Sequence, residues 1–252
     1  MLPITSPDDY KKLIATLKEA KRLVFFTGAG ISSESGIPTF RGKEGLWNKF
    51  KPEELANFNA FMRNPELVWE WYNYRRKIVH EAQPNAAHLA IAEMQNHFED
   101  VTVVTQNVDN LHRRAGSKKI FELHGNIERN FCIDCKKFHN EELDFSNGVP
   151  KCECGGLIRP DVVWFGEYLP EDQFRGGELA AMKADVFFVI GTSAVVYPAA
   201  GLVYTAKASG ATTVEINIEE TEISSSVNYS YFGKAGEILP KIFEEYKMKI
   251  NS

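Results

Sequence analysis

Hydrophobic residues gather in short runs that recur along the chain, with polar residues between them. The first run, RLVFFT at 22–27, ends directly before the glycine loop GAG. Unbroken apolar runs of this length are typical of strands that are covered on both faces of a sheet. We expect strands at 22–27, 101–105, 120–123, 186–190 and 213–217, with a weaker one at 229–232.

Segments with helical spacing separate several of these runs. The N-terminal segment starts with Ser6 as a cap and Pro7 at the first helical position, followed by two aspartates that suit the positive end of the helix dipole. The other helical segments lie at 85–97, 171–183, 198–209 and 236–249. Strands that alternate with helices predict an α/β fold with a Rossmann-type doubly wound parallel sheet.

Two stretches interrupt this alternation. Residues 36–84 contain a loop and a helix with Asn64 as its cap and Pro65 at its first position, and residues 127–160 contain every cysteine of the chain. We expect the two stretches to pack together as a small second lobe, with a cleft between the lobes at the carboxyl ends of the strands. The Rossmann-type domain is then made of 1–35, 85–126 and 161–252.

Composition narrows the class of protein. The 252 residues include 44% hydrophobic and 25% charged side chains and carry a net charge of −5, which is ordinary for a globular domain. The longest apolar runs are far too short to cross a bilayer, and the first residues lack the basic and apolar parts of a secretory signal. We expect a cytoplasmic protein without membrane attachment or sequence-specific nucleic-acid binding.

The loop after the first run, TGAGISSESGIP, carries part of a nucleotide-binding signature. Gly28 and Gly30 permit a tight turn that lets backbone amides approach a phosphate. Ser33 replaces the third glycine of a standard dinucleotide fingerprint, and no acidic residue follows at the usual distance for the ribose. A plain strand-to-helix turn is the alternative, but the segment GIPTFRG that follows is suited to cover a bound nucleotide.

Four cysteines form two close pairs. Cys132 and Cys135 are spaced C-x2-C, and Cys152 and Cys154 are spaced C-x-C. Four thiolates complete a tetrahedral Zn²⁺ site and leave no open position for water, so we expect one structural zinc ion. Redox-active thiols and simple buried cysteines are the alternatives.

His124 follows an apolar run and precedes a glycine. Because the carboxyl end of a strand opens onto the cleft, a histidine there is placed for general-base catalysis. A satisfied core histidine is an equally good reading of the position alone. The segment TQNVDNLH offers Gln106, Asn107 and Asp109 to a carboxamide or to ribose hydroxyls, with turns and helix caps as the alternative.

Several motifs occur in one order: GAGISSESGIPTFRG, TQNVDNLH, LHG, the paired cysteines, VVWFGE, GTSAVVYPAA and VEINIEE. From about residue 20 to about residue 240 the chain therefore resembles the sirtuins, which are NAD-dependent protein-lysine deacylases. The resemblance implies an NAD-binding Rossmann-type domain and a small lobe made of a helical insertion and a zinc-binding module.

The resemblance also implies roles for matching residues. The implied catalytic residues are His124 as general base, Asn107 and Asp109. Contacts with NAD are implied for Gly28, Ala29, Gly30, Ile31, Ser32, Pro38, Phe40, Arg41, Trp47, Gln106, Asn107, Val108, Asp109, Gly191, Thr192, Ser193, Asn217, Ile218, Glu219 and Ala235. Contacts with an acylated-lysine protein or peptide are implied for Ala56, Tyr72, Arg75, Val163, Phe165, Gly166 and Glu167, with 163–167 pairing to the peptide backbone.

The implied reaction consumes NAD as a co-substrate and transfers no hydride. The acyl oxygen of the lysine amide attacks the ribose carbon as nicotinamide leaves. His124 then takes a proton from a ribose hydroxyl, which attacks the acyl carbon. The products are free lysine, nicotinamide and O-acyl-ADP-ribose.

Tyr72 and Arg75 indicate which acyl group is removed. They are three residues apart on a predicted helix and so share a face. A guanidinium beside a phenol suits a terminal carboxylate, and the resemblance places this pair and the small Ala56 where desuccinylases and demalonylases carry theirs. A solvated helix face is the alternative, because Arg76 and Lys77 continue a basic run.

Three other functions share part of this pattern. A mono-ADP-ribosyltransferase would use the same NAD site but modify a protein nucleophile. A dehydrogenase is disfavoured by Ser33 and by the missing acidic partner for the ribose. A zinc-ribbon binding module would leave the cleft motifs without a purpose.

Overall fold

The computed structural model describes residues 7–40, 46, 52–139 and 141–250. Its helices are α1 (Pro7–Glu19), α2 (Pro52–Leu55), α3 (Phe58–Arg63), α4 (Pro65–Glu81), α5 (Ala86–Met94), α6 (Leu111–Arg114), α7 (Glu171–Lys183), α8 (Gly201–Ala208) and α9 (Ala235–Ile250). Its strands are β1 (Arg22–Thr27), β2 (Asp100–Thr105), β3 (Lys119–Glu122), β4 (Gly125–Cys132), β5 (Phe138–His139), β6 (Ile158–Val162), β7 (Val186–Ile190), β8 (Thr212–Asn217) and β9 (Tyr229–Phe232). A 3₁₀ helix, Ala29–Ser35, follows β1.

Six strands form the main sheet in the order β3-β2-β1-β7-β8-β9, and every neighbouring pair is parallel. The predicted doubly wound sheet is therefore confirmed, and each predicted strand lies within one residue of an observed one. The chain continues from β1 to β2 on one side and returns to β7 on the other. This reversal of strand order between β1 and β7 opens a crevice at their carboxyl ends, where α/β sheets bind ligands.

Both faces of the main sheet are covered, which explains the unbroken apolar runs. Phe25 and Phe188 stack at 4.9 Å on the face that α1, α5 and α9 cover, while Phe26 and Phe187 point to the face under α7 and α8. Successive side chains of a strand point to opposite faces, so β1 and β7 need apolar residues at every position. Each fully buried phenylalanine contributes on the order of 2–3 kcal/mol.

A smaller antiparallel sheet in the order β5-β4-β6 carries the cysteines. Its core is shared with α2, α3 and α4, and the Trp69 indole N–H donates to the Ile158 carbonyl at 3.0 Å. The helical insertion and the cysteine segment therefore pack together, as expected. The strands β4 and β6 pair from Gly125↔Val162 onward, so the small sheet begins within the segments assigned to the Rossmann-type domain. The domain boundaries at 126 and 160 stay a prediction.

Helix ends differ from the sequence expectation in two places. The helix expected over 85–97 ends at Met94, because the N–H groups of Asn96 and His97 bond to carbonyls three residues back and tighten the chain into turns. The helix expected over 198–209 begins at Gly201, after turns that precede it. Asn64 caps α4 with Pro65 at its first position, as predicted, whereas the Ser6 cap lies outside the described residues.

None of the helices that the structure describes combines the length and the apolar character needed to cross a membrane.

Candidate active site

A cavity of about 730 Å³ lies where the carboxyl ends of β1, β2, β7 and β8 face the small lobe. His124 and all seven predicted substrate residues line it. Of the predicted NAD contacts, the lining includes Gly28, Ala29, Gly30, Phe40, Gln106, Asn107, Val108, Gly191, Thr192, Ser193, Asn217, Ile218, Glu219 and Ala235. Ile31, Ser32, Pro38 and Asp109 are not among the lining residues, and Arg41 and Trp47 lie outside the described residues.

The glycine loop packs directly on the loop after β7. A methyl group added at Gly30 would lie 2.7 Å from the Gly191 Cα, and one at Gly28 would lie 2.7 Å from the Thr192 Cβ. The N–H groups of Gly28 and Gly30 donate to the carbonyls of Ile190 and Gly191. These two amides are thus occupied within the protein, and the approach of other backbone amides of the loop to a phosphate stays a prediction. Glycine is required because the two loops touch.

The amide side chains after β2 are held in place from within the protein. Gln106 Nε2 donates to Thr192 Oγ1 at 2.9 Å, and Asn107 Nδ2 donates to the Gly28 carbonyl at 3.0 Å. Asn107 Oδ1 accepts no hydrogen bond from the part of the chain that the structure describes. This oxygen is therefore an acceptor that a ligand in the cavity can use.

Asp109 turns away from the cavity. Its carboxylate accepts hydrogen bonds from the Ser32 hydroxyl at 2.7 Å and from the Leu111 N–H at 3.0 Å. Burial raises the pKa of Asp109, and these two bonds offset part of that rise. In the structure Asp109 thus supports the glycine loop through Ser32, and its predicted contact with NAD stays a prediction.

His124 follows β3 and lines the cavity. Its Nδ1 lies 2.9 Å from the Gln106 carbonyl oxygen. Since a carbonyl only accepts, Nδ1 carries the proton and Nε2 is left as an acceptor. Burial lowers the pKa of His124, and the bond to Gln106 offsets part of that change. A neutral imidazole with a free Nε2 is the form a general base needs.

Residues around the start of α9 also line the cavity. Asn217 Nδ2 donates to the Thr192 carbonyl at 3.0 Å, which ties the loop after β8 to the loop after β7. Glu34 accepts a hydrogen bond from the Gly236 N–H at 2.8 Å, a favourable place for a carboxylate at a helix N-terminus. Ala235 lies 7% exposed beside it.

The small lobe contributes a phenol and a guanidinium to the cavity lining. Tyr72 and Arg75 of α4 are 1% and 9% exposed, so the solvated helix face considered from the sequence is wrong. The Arg75 guanidinium lies 4.8 Å from the centre of the Phe40 ring and makes no ion pair within the described residues. Burial lowers the pKa of Arg75 and raises the pKa of Tyr72.

The segment after β6, residues 163–167, forms a rim of the cavity. The Val163 N–H donates to the His124 carbonyl at 3.0 Å, and the Phe165 N–H donates to the Ala56 carbonyl at 2.9 Å. Within the described residues, the carbonyl of Val163 and the N–H of Gly166 have no backbone partner. These groups leave an edge to which an extended peptide can bond.

The four cysteine sulfurs lie within 4.8 Å of one another. The Sγ pairs of Cys132–Cys154 and Cys135–Cys152 are 3.5 and 3.6 Å apart, close to the separation of about 3.8 Å that four Zn–S bonds of about 2.3 Å require. The backbone N–H of Cys154 lowers the pKa of Cys152 to about 6. Among the residues that the structure describes, no histidine or carboxylate joins this group, so His124 is not one of its members.

Several lining residues were not singled out from the sequence. They are Glu34, Trp164, Tyr197, Thr221 and Lys234. All five lie in or beside the loops that follow β1, β6, β7, β8 and β9. The sequence indicates that these residues follow predicted strands, which favours a place near the cavity. It does not indicate the direction of their side chains.

Comparison with known proteins agrees with this geometry. A model of the Sir2 family matches residues 28–198. The NAD-dependent protein deacylase of Aquifex aeolicus is 51% identical over 239 residues, with 93% of this chain and 99% of that protein covered. The NAD-dependent protein deacylase of Pyrococcus furiosus is 52% identical over 238 residues, with 92% and 95% covered.

Solved structures give the same result. A mutant Sir2 homologue in complex with ADP-ribose has a TM-score of 0.91 and 45% identity, and the match covers 96% of this chain and 98% of that one. A complex of Sir2 with a p53 peptide and NAD⁺ has a TM-score of 0.84 and 36% identity, with 94% and 98% covered. The resemblance to the sirtuins is thus confirmed, and the chain belongs to the Sir2 family.

Proposed function

We propose that this protein is an NAD-dependent protein-lysine deacylase, which moves an acyl group from lysine to ADP-ribose and releases nicotinamide. One observation carries the proposal. His124 is separate from the cysteine cluster and is held at Nδ1 by the Gln106 carbonyl, so Nε2 is available at the cavity. The relatives at 51% and 52% identity are named for the same activity.

Different residues of the cavity bind NAD and transfer the proton. NAD supplies the electrophilic ribose carbon and the nicotinamide leaving group. Asn107 and Gln106 position the nicotinamide end, and Asn217 and Ala235 contact the adenosine end. His124 Nε2 takes a proton from a ribose hydroxyl. Asp109 accepts the hydrogen bond of the Ser32 hydroxyl and so positions the glycine loop.

The acylated peptide lies along the rim formed by 163–167. An extended backbone that bonds to the Val163 carbonyl and the Gly166 N–H would direct its acyl-lysine into the cavity between Ala56 and Val108, both of which line it. The Sir2 structure with a p53 peptide supports a peptide substrate.

Zinc is the metal that the cysteines fit best. Four thiolates satisfy a tetrahedral ion and leave no open position, so the ion would cross-link β4 to the segment before β6 and take no part in the chemistry. A methyl group at Gly156 would lie 2.7 Å from Cys132 Sγ, so only glycine fits against the cluster. The pattern of reduced cysteines is also the basis for expecting a cytoplasmic protein.

The acyl groups that we expect to be removed best are succinyl and malonyl. Arg75 is a buried cation without an ion-pair partner among the described residues, and the Tyr72 phenol lies on the same face of α4. A carboxylate at the end of the acyl chain would satisfy both donors. Acetyl-lysine would bind the same cavity without this contact.

A panel of peptides with one sequence tests both levels of the proposal. Acetyl-, succinyl- and malonyl-lysine peptides are incubated with NAD, and nicotinamide release is followed. Release that depends on an acylated peptide supports deacylation, and faster turnover of succinyl than acetyl peptide supports the acyl preference. Nicotinamide release that is independent of the peptide, with ADP-ribose attached to protein, would instead indicate an ADP-ribosyltransferase.

A further inference from the structure

The indole of Trp164 determines how the Tyr72 hydroxyl can be used. Trp164 Nε1 lies 2.8 Å from Tyr72 Oη. An indole N–H only donates, so the phenol oxygen is the acceptor in this bond. The hydrogen of the Tyr72 hydroxyl is therefore directed elsewhere.

No acceptor for that hydrogen exists in the part of the chain that the structure describes. Tyr72 and Trp164 are 1% and 2% exposed, so very little of either residue contacts bulk water. Both residues line the cavity, as does Arg75. A buried hydroxyl donor and a buried guanidinium thus face the same space, and a buried donor without an acceptor is costly.

Trp164 itself is held firmly. Its backbone N–H donates to Glu167 Oε2 at 2.8 Å, and the Arg159 guanidinium lies 3.3 Å from the centre of its rings. Arg159 is 3% exposed and forms an ion pair with Glu167. The indole cannot turn without losing its contact with the Arg159 guanidinium, so its N–H keeps one direction.

We infer that Trp164 is a specificity-determining positioning residue: its indole N–H occupies the Tyr72 oxygen and turns the hydroxyl hydrogen toward the acyl group. An acyl chain that ends in a carboxylate accepts this hydrogen together with the charge of Arg75. An acetyl group offers no second acceptor and gains nothing from the arrangement. The inference rests on the proposed function and concerns how the cavity distinguishes acyl groups.

The alternative role for Trp164 is packing alone. Its rings contact Phe61 and Tyr72 at centroid separations of 5.3 and 6.4 Å. A packing role would affect acetyl and succinyl peptides alike, and it would not depend on whether residue 72 has a hydroxyl. This difference separates the two roles.

The test is a double-mutant cycle with Trp164→Phe, Tyr72→Phe and the double variant. The ratio of kcat/KM for succinyl over acetyl peptide is measured for each. We expect Trp164→Phe to lower this ratio about tenfold, mainly through KM for the succinyl peptide, since a hydrogen bond to a charged group contributes at least this much. In the Tyr72→Phe background, Trp164→Phe should leave the ratio within about twofold.

A second arm covers the case in which Trp164→Phe folds poorly. Site-specific replacement of Trp164 by β-(3-benzothienyl)alanine keeps the shape of the indole and exchanges its N–H for sulfur. The same loss of the succinyl/acetyl ratio supports the inference. An unchanged ratio in this variant, or an equal loss with and without the Tyr72 hydroxyl, would overturn it.

The outcome also separates this inference from the proposed function. If the wild-type protein removes acetyl and succinyl groups equally well, both the acyl preference and the role of Trp164 are wrong, while deacylation stands. If the succinyl peptide is preferred but substitution of Trp164 leaves the succinyl/acetyl ratio of kcat/KM unchanged, only the inference is wrong. Without any peptide-dependent release of nicotinamide, the proposed function itself is wrong.

Discussion

The imidazole rings of His88 and His112 pack against each other in the interior, with their centroids 4.8 Å apart. His88 accepts the Asn85 N–H at the start of α5, and His112 Nε2 lies 2.9 Å from the Thr27 hydroxyl. Burial lowers the pKa of His88 to about 4 and places the pKa of His112 well below 6.5. The folded protein therefore keeps both rings neutral.

These buried rings predict a loss of stability in mild acid. In the unfolded chain His88 binds a proton below about pH 6.5, whereas in the folded protein its pKa is about 4. The contribution of the neutral His88 ring to the free energy of unfolding is thus fully present above pH 6.5. It is lost as the pH falls toward 4, and the loss is about 3 kcal/mol. Urea unfolding of wild type and His88→Gln, which keeps a side chain suited to the capping box, measures the difference.

The expected result is a smaller pH dependence in His88→Gln than in wild type. His80→Gln is the matched control, because His80 lies exposed on α4, and it should follow the wild-type curve. Equal slopes for wild type and His88→Gln would show that His88 is not the titrating group.

Chelation of the metal should disrupt the small lobe first. Without an ion, nothing bonds the four sulfurs, which lie within 4.8 Å, to one another, and the cross-link between β4 and the segment before β6 is lost. We expect hydrogen exchange to accelerate in β4 and β6 while β1 and β7 stay protected. Four thiols per chain should become reactive, and added Zn²⁺ should reverse both changes.

A metal-free preparation with the same hydrogen-exchange pattern and the same melting temperature as the zinc-loaded protein would contradict this prediction. Protection lost uniformly over both sheets would contradict the division into two lobes.

Gly30→Ala should weaken NAD binding. The added methyl would lie 2.7 Å from the Gly191 Cα, so the two loops that line the cavity must separate, at a cost of about 1–3 kcal/mol. We expect the KM for NAD to rise about 5- to 150-fold with little change in the Kd of the peptide. Gly201→Ala is the control, since its methyl meets nothing closer than 4.0 Å; a similar KM in both variants would refute the close-packing argument.

His124→Ala should lower turnover at least about 100-fold without loss of metal. The ring is held by the Gln106 carbonyl at 2.9 Å and does not belong to the cysteine cluster, so its loss removes a base that is worth about 10²–10⁴ in rate. Metal analysis of the purified variant should give the same zinc content as wild type. The exposed His80→Ala serves as control, and zinc lost from His124→Ala alone would make the histidine a ligand.

Much of the fold could be predicted from the sequence because burial on both faces leaves a simple pattern. Phe25 and Phe26 are apolar neighbours that face opposite cores, and such pairs mark strands without any knowledge of their partners. The cysteine spacing likewise predicted a cluster, because four sulfurs in two close pairs have few other uses. The helix ends near 95 and 200 depended on local turns that periodicity does not report.

The finer parts of the site depend on contacts between distant segments. The N–H groups of Gly28 and Gly30 are used by the loop after β7, far along the chain, which no local motif reveals. Asp109 turns toward Ser32, although the motif placed it with Gln106 and Asn107. The bond from Trp164 to Tyr72 joins residues 92 apart. Side-chain direction follows from packing, and packing is a property of the whole chain.

We expect the cavity to pass an acyl group from lysine to ADP-ribose, with His124 as base and the cysteine cluster as a structural element. A mass balance over one set of products tests this expectation. Zinc-loaded protein is incubated with succinyl-lysine peptide and NAD, and all products are quantified by mass spectrometry. We predict equal amounts of unmodified peptide, nicotinamide and O-succinyl-ADP-ribose. Free succinate formed without consumption of NAD, or ADP-ribose bound to protein in place of the O-acyl product, would contradict the account.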